Sequence, residues 1–223
     1  MTKLARFASV TMRRASLTVA LVLSLSATAS TSQSPAAPPA PAAPAAPPAG
    51  EVTLTIATVN GSGCRPGTAQ ATMAPDNTGF RVTYADFTAQ RGGSARPTDL
   101  RKNCQISIQV QAPEGFAYAI ARVEHHGHAQ LGSTATGRQR TNFYLSGSSD
   151  NTYVEHSFAG PRTGEWHTTD LVELAFEPCG AHRNININTE LVVDEDTTDA
   201  GAVNSLSMDG SDGTVAQFRW AYC

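Results

Sequence analysis

Gln105-Ile106-Ser107-Ile108-Gln109-Val110-Gln111 alternates strictly between polar and apolar side chains. Successive side chains of a β-strand point to opposite faces. This run therefore predicts a strand with Ile106, Ile108 and Val110 in a core and Gln105, Ser107, Gln109 and Gln111 in water. The same period returns on either side. Val52, Leu54 and Ile56 alternate with Thr53, Thr55 and Ala57, and Phe80, Val82 and Tyr84 alternate with Arg81 and Thr83. Further strands are expected over 117–126, 139–146, 153–158, 170–176, 185–193, 203–208 and 214–221. Turn residues separate them: Asn60-Gly61, Pro75-Asp76-Asn77, Gly92-Gly93, Pro113-Glu114-Gly115, Gly160-Pro161 and Asp212-Gly213. No stretch carries a helical period, and Thr98–Asn103 is expected to form at most one short helical turn. The expectation is an all-β chain folded as an antiparallel β-sandwich, with a jelly roll as one possible arrangement.

The N-terminus has a different composition. Lys3, Arg6, Arg13 and Arg14 lead into an apolar run from Leu17 to Leu25, followed by Ala27-Thr28-Ala29. Basic residues, a short apolar core and a small-x-small site make a secretory signal peptide, assigned to residues 1–29. The apolar run is too short to remain as a membrane span. The reading is a secreted, extracellular protein. Residues 35–49 are all Pro or Ala, so 30–50 reads as an extended linker before a single domain over 51–223.

Four of the 16 Lys and Arg residues lie in the signal and none of the 19 Asp and Glu do. The remainder is acidic, and Lys102 is its one lysine. No basic face is available for nucleic acid, and no second apolar run approaches membrane length. The four cysteines, Cys64, Cys104, Cys179 and Cys223, all fall in the secreted part. An even count in an exported chain predicts two disulfides. Three pairings are possible. Cys64–Cys104 with Cys179–Cys223 is expected, because it makes two sequential loops of similar length.

Several short motifs occur in a fixed order. Asn60-Gly61-Ser62-Gly63-Cys64 precedes Ala74-Pro75-Asp76-Asn77-Thr78-Gly79-Phe80, then Arg101-Lys102-Asn103-Cys104. Pro178-Cys179-Gly180 leads into Arg183-Asn184-Ile185-Asn186-Ile187-Asn188-Thr189, and Trp220 and Cys223 close the chain. This ordered set resembles the secreted family called domain of unknown function 4360, over nearly all of 52–223. The resemblance implies an exported β protein of bacterial or fungal type and implies no particular activity.

Several features could carry chemistry. His126 and His128 fall on one face of a strand and could share Zn²⁺ or Cu²⁺, given a third ligand such as His156, His167 or His182. Asn184, Asn186 and Asn188 alternate with Ile185 and Ile187, so three amides would share a surface able to hydrogen-bond carbohydrate hydroxyls. Trp166, in Gly164-Glu165-Trp166-His167, is expected in a loop, where an exposed indole could stack on a sugar. Trp220 reads as core packing. Asp194-Glu195-Asp196 with Asp199, and Asp209 with Asp212, could offer oxygens to Ca²⁺, although neither matches an EF-hand. Asn60-Gly61-Ser62 is a glycosylation sequon.

Nucleophile motifs and phosphate-binding loops are missing from the sequence. The sequence therefore favours a non-catalytic secreted sandwich that binds an extracellular polysaccharide or a cell-envelope component. No cofactor is required by any motif. The alternatives are a metal-dependent extracellular enzyme using His126 and His128, and a surface protein or effector with a protein partner.

Overall fold

Strand β6 (Arg101–Gln111) contains the alternating run and shows why the sandwich forms. Ile106, Ile108 and Val110 are each at most 1% exposed, and the residues between them face out. The structure is a computed structural model that describes residues 43–172, 174–195, 202–208 and 210–223. The expected signal peptide, 1–29, and most of the 30–50 linker lie outside the described residues.

One sheet has five strands in the order β2 (Thr53–Asn60), β6, β11 (Ile185–Glu195), β8 (Ala135–Leu145) and β9 (Asn151–Ala159). The other has eight. Its main path is β3 (Ala69–Met73), β4 (Gly79–Tyr84), β13 (Gly210–Tyr222), β7 (Phe116–Leu131), β12 (Asn204–Ser207) and β5 (Thr88–Arg91). β1 (Ala43–Ala45) adds to β13, and β10 (Arg162–Leu171) adds to β7. Among the described residues every pairing is antiparallel. No helix occurs among the described residues. The chain is an all-β protein of two antiparallel sheets.

Register aligns the apolar side chains into rows. Ile106 on β6 stands opposite Ile187 on β11, which stands opposite Phe143 on β8. Ile108, Ile185 and Leu145 form the next row. Against them the second sheet places Phe80 and Val82 of β4, Val123 and Ala129 of β7, and Trp220 of β13, all at most 2% exposed. Each large side chain buried here stabilises the fold by roughly 1.5–3 kcal/mol. Cys64–Cys104 and Cys179–Cys223 are the two disulfides, with Cα separations of 5.2 and 5.9 Å, as the sequence led us to expect.

Three local expectations are corrected. The turn expected over 98–103 lies at 97–100, because β6 already begins at Arg101. The strand expected over 170–176 lies earlier, at Arg162–Leu171. β7 continues past 126 to Leu131, carried through Gly127. A Cβ on Gly127 would lie 1.8 Å from the Ser207 carbonyl oxygen and 2.5 Å from the Trp166 ring, so only glycine fits. Part of the Pro/Ala stretch also joins the body: Ala43–Ala45 pairs with Trp220–Tyr222, and Asn77 Nδ2 donates to the Pro48 and Gly50 carbonyls at 2.9 and 3.0 Å.

Between the sheets runs a polar seam. Tyr84 OH and His125 Nδ1 each lie 3.1 Å from Thr214 Oγ1, in the interior. The His125 ring stacks on Phe143 at 6.1 Å. Thr168, opposite His125 on β10, is also buried.

Candidate functional site

Strand β11 sorts its side chains by parity. Ile185 and Ile187 are 0% and 1% exposed, so Asn186, Asn188 and Glu190 emerge on the outer face of the five-stranded sheet. The three asparagines have different surroundings. Asn184 Nδ2 donates to Ser107 Oγ at 3.0 Å, and Asn186 Nδ2 donates to Ser146 Oγ at 3.0 Å. These amides brace neighbouring strands and the β8 end. Asn188 makes no side-chain hydrogen bond among the described residues, and its amide is available to a ligand.

Asn188 is the centre of a longer row. In register across all five strands stand Asn60 (β2), Gln105 (β6), Asn188 (β11), Asn142 (β8) and Tyr153 (β9). With neighbouring strands about 4.8 Å apart, the row spans roughly 19 Å. Four carboxamides offer both donors and acceptors, and the Tyr153 ring at the end is 63% exposed. Asn142 Oδ1 is shielded from water and has no hydrogen-bond partner among the described residues. Two hollows of about 180 and 260 Å³ lie along the row, and Asn142 and Asn188 line both. The smaller hollow also carries Glu190, which ion-pairs with Arg101 and with Arg140, the latter at 3.2 Å. The larger carries Tyr144 and Asp150.

Trp166 corrects the sequence reading. It lies on β10 and not in a loop, and it is 2% exposed. Its ring packs on Phe158 at 4.9 Å and covers Gly127. The indole belongs to the core and is closed to a sugar. Trp220, read as core, is 2% exposed.

His126 and His128 do share the outer face of β7, on the sheet opposite the amide row. The His126 ring stacks on His167 at 6.1 Å, and its Nε2 is 3.8 Å from Glu124 Oε2. The other expected third ligands are placed elsewhere. His156 lies part-buried on β9 and is bonded to Asp170, while His182 follows Cys179 in a loop. Among the described residues, no three His, Cys, Asp or Glu side chains are grouped to hold a metal ion. Asp194 lies 3.9 Å from Arg91. Asp196, Asp199 and Asp209 lie outside the described residues, as does the side chain of Asp212.

The sequence profile of a domain of unknown function, DUF4360, matches residues 50–223. The chain belongs to the DUF4360 family. It is also similar to an uncharacterized secreted protein of Arthroderma benhamiae, 27% identical over 177 residues, which covers 78% of this chain and 72% of that protein. The two disulfides fit the same compartment. This DUF4360 protein is secreted.

In this DUF4360 domain the amide row was only partly visible beforehand. Asn188 stood out because Asn and Ile alternate around it. Asn60 read as a turn residue and Gln105 as a water-facing position. Asn142 and Tyr153 carried no local signal. In the folded strands all five face outward, and register brings them into line.

Proposed function

We propose that this secreted DUF4360 domain binds an extracellular polysaccharide along the outer face of its five-stranded sheet. The observation that carries the reading is the row Asn60–Gln105–Asn188–Asn142–Tyr153. Sugar hydroxyls pair with groups that both donate and accept, which planar amides do. A solvent-facing phenol ring gives a flat apolar surface for a pyranose face while its hydroxyl stays in water. Asn142 Oδ1, buried without a partner, gains a hydrogen bond when a hydroxyl enters the hollow beside it. A rigid sheet holds these groups before the ligand arrives, which lowers the ordering cost of binding.

Co-sedimentation of the secreted domain with insoluble polysaccharides and cell-wall preparations tests the proposal. Saturable binding is expected with at least one preparation. Asn188→Ala and Tyr153→Ala should each weaken it about tenfold, while Trp166→Phe should leave it unchanged. Absence of binding to every preparation, or full binding by both row variants, would overturn it.

A further inference from the structure

A second site lies at one end of the sandwich and shares no lining residue with the amide row. A cleft of about 500 Å³, open to solvent, lies between the β6–β7 turn and the segment 177–182, beside the Cys179–Cys223 disulfide. Its wall is largely apolar and aromatic, with Val110, Ala112, Phe116 and Tyr118. Into this wall the fold sets one carboxylate, Glu177, which is only 5% exposed.

The partners of Glu177 are incomplete. One oxygen, Oε1, accepts the backbone N–H of Arg183. The other, Oε2, is shielded from water and has no hydrogen-bond partner within bonding geometry among the described residues. The carboxylate enters no ion pair among the described residues. Tyr118 OH lies within hydrogen-bonding reach of the Glu177 carboxylate and also donates to the Arg183 carbonyl at 3.4 Å. Burial first, then the Glu177 charge and a hydrogen bond with that carboxylate, push the Tyr118 phenol well above its ordinary range, so it stays a neutral hydroxyl. A buried carboxylate without a counter-charge is costly, and proteins normally pair it. Glu177 itself lines the cavity, so its side chain is part of the wall that an incoming ligand touches. At the rim, exposed Glu114 adds a second negative charge, and His182 is the one basic side chain of the lining.

We propose that this cavity binds a small organic cation, a protonated primary amine on a short apolar body, with the ammonium on Glu177 and the body against Phe116 and Tyr118. The site's volume suits a small molecule. The carboxylate supplies the anionic half of a charge-assisted hydrogen bond, and aromatic rings favour positive charge nearby.

Calorimetric titration of the secreted protein with benzylammonium chloride, and with benzyl alcohol as its neutral counterpart, tests this. One-to-one binding of benzylammonium is expected, about tenfold or more tighter than the alcohol. Glu177→Gln keeps an oxygen for the Arg183 N–H and should erase the preference for the cation. Ala181→Phe, at an exposed lining position, should block both ligands without a change in melting temperature. It decides the matter even where Glu177→Gln disturbs folding. Asn188→Ala should bind benzylammonium as the parent does, which separates this site from the glycan face. No saturable heat with benzylammonium at millimolar concentration, equal binding of the alcohol, or undiminished binding in Ala181→Phe would overturn the proposal.

Discussion

His156 on β9 and Asp170 on β10 bond the two sheets together, with Nε2 2.9 and 3.0 Å from the two carboxylate oxygens. The side chains are 30% and 18% exposed, so the contact is partly screened from water. β9 ends the five-stranded sheet, and β10 lies on the outer side of β7 in the other. This bond therefore closes the sandwich at an edge that the backbone ladders leave open. Asp170→Ala should cost about 1–3 kcal/mol in a urea melt. A double-mutant cycle with His156→Ala should assign most of that loss to the pair.

His125 makes the fold acid-sensitive. It is fully buried, and burial first, then the nearby His156 and His126, lower its pKa from 6.5 to about 3. The unfolded chain then binds a proton that the folded chain refuses between pH 6.5 and 3. The stability from this group is complete above pH 6.5 and is lost as pH falls toward 3. The melting temperature should decline across that window. His125→Phe keeps a ring against Phe143 and should flatten this part of the decline. An unchanged slope in the variant would contradict the assignment.

Trp166 and Gly127 behave as one packed unit. Trp166→Ala should cost about 3–5 kcal/mol by removing a buried aromatic from the core. Gly127→Ala should destabilise too, since its Cβ meets backbone at the Ser207 carbonyl and cannot be relieved by a rotamer change. Neither change should alter the affinity for glycan in the fraction that stays folded. Equilibrium melts and binding curves on the same samples separate the two effects.

The disulfides differ in exposure. Cys64 and Cys104 are each 1% exposed, whereas Cys179 is half-buried and Cys223 is exposed. A mild reductant under native conditions should open Cys179–Cys223 first, as seen by alkylation and peptide mapping. The loops span 40 and 44 residues, so loss of either bridge should cost about 4 kcal/mol on a chain-entropy account.

How far the sequence could be read depended on which faces were contrasted. Around Ile106, Ile108 and Val110 an apolar face alternates with a polar one, and the strand and its inward side follow directly. β10 defeats that reading because Trp166 is the one large apolar side chain among Gly164, Trp166, Thr168 and Asp170, its inward set. The seam there joins Tyr84, Thr214 and His125 by hydrogen bonds and buries the Thr168 hydroxyl beside them, and hydrophobic periodicity fades with it. The amide row was hidden for another reason. Parity is a local property, whereas the alignment of Asn60 with Tyr153 depends on four successive ladders. The cavity at Glu177 needed the 177–182 segment folded over the β6–β7 turn, which no spacing announces.

β7 is read by three neighbours at once. β13 follows it from Phe116 to His125, β12 takes His128 to Gln130 along the same edge, and β10 lines Arg122 to Leu131 on the other. A slip of one residue would turn Val123, His125 and Ala129 outward and break all three pairings together. No half-correct alignment is available to this sheet. Its amides should exchange with solvent at a common, slow rate set by whole-molecule opening, so that the domain is lost and recovered as a single cooperative event.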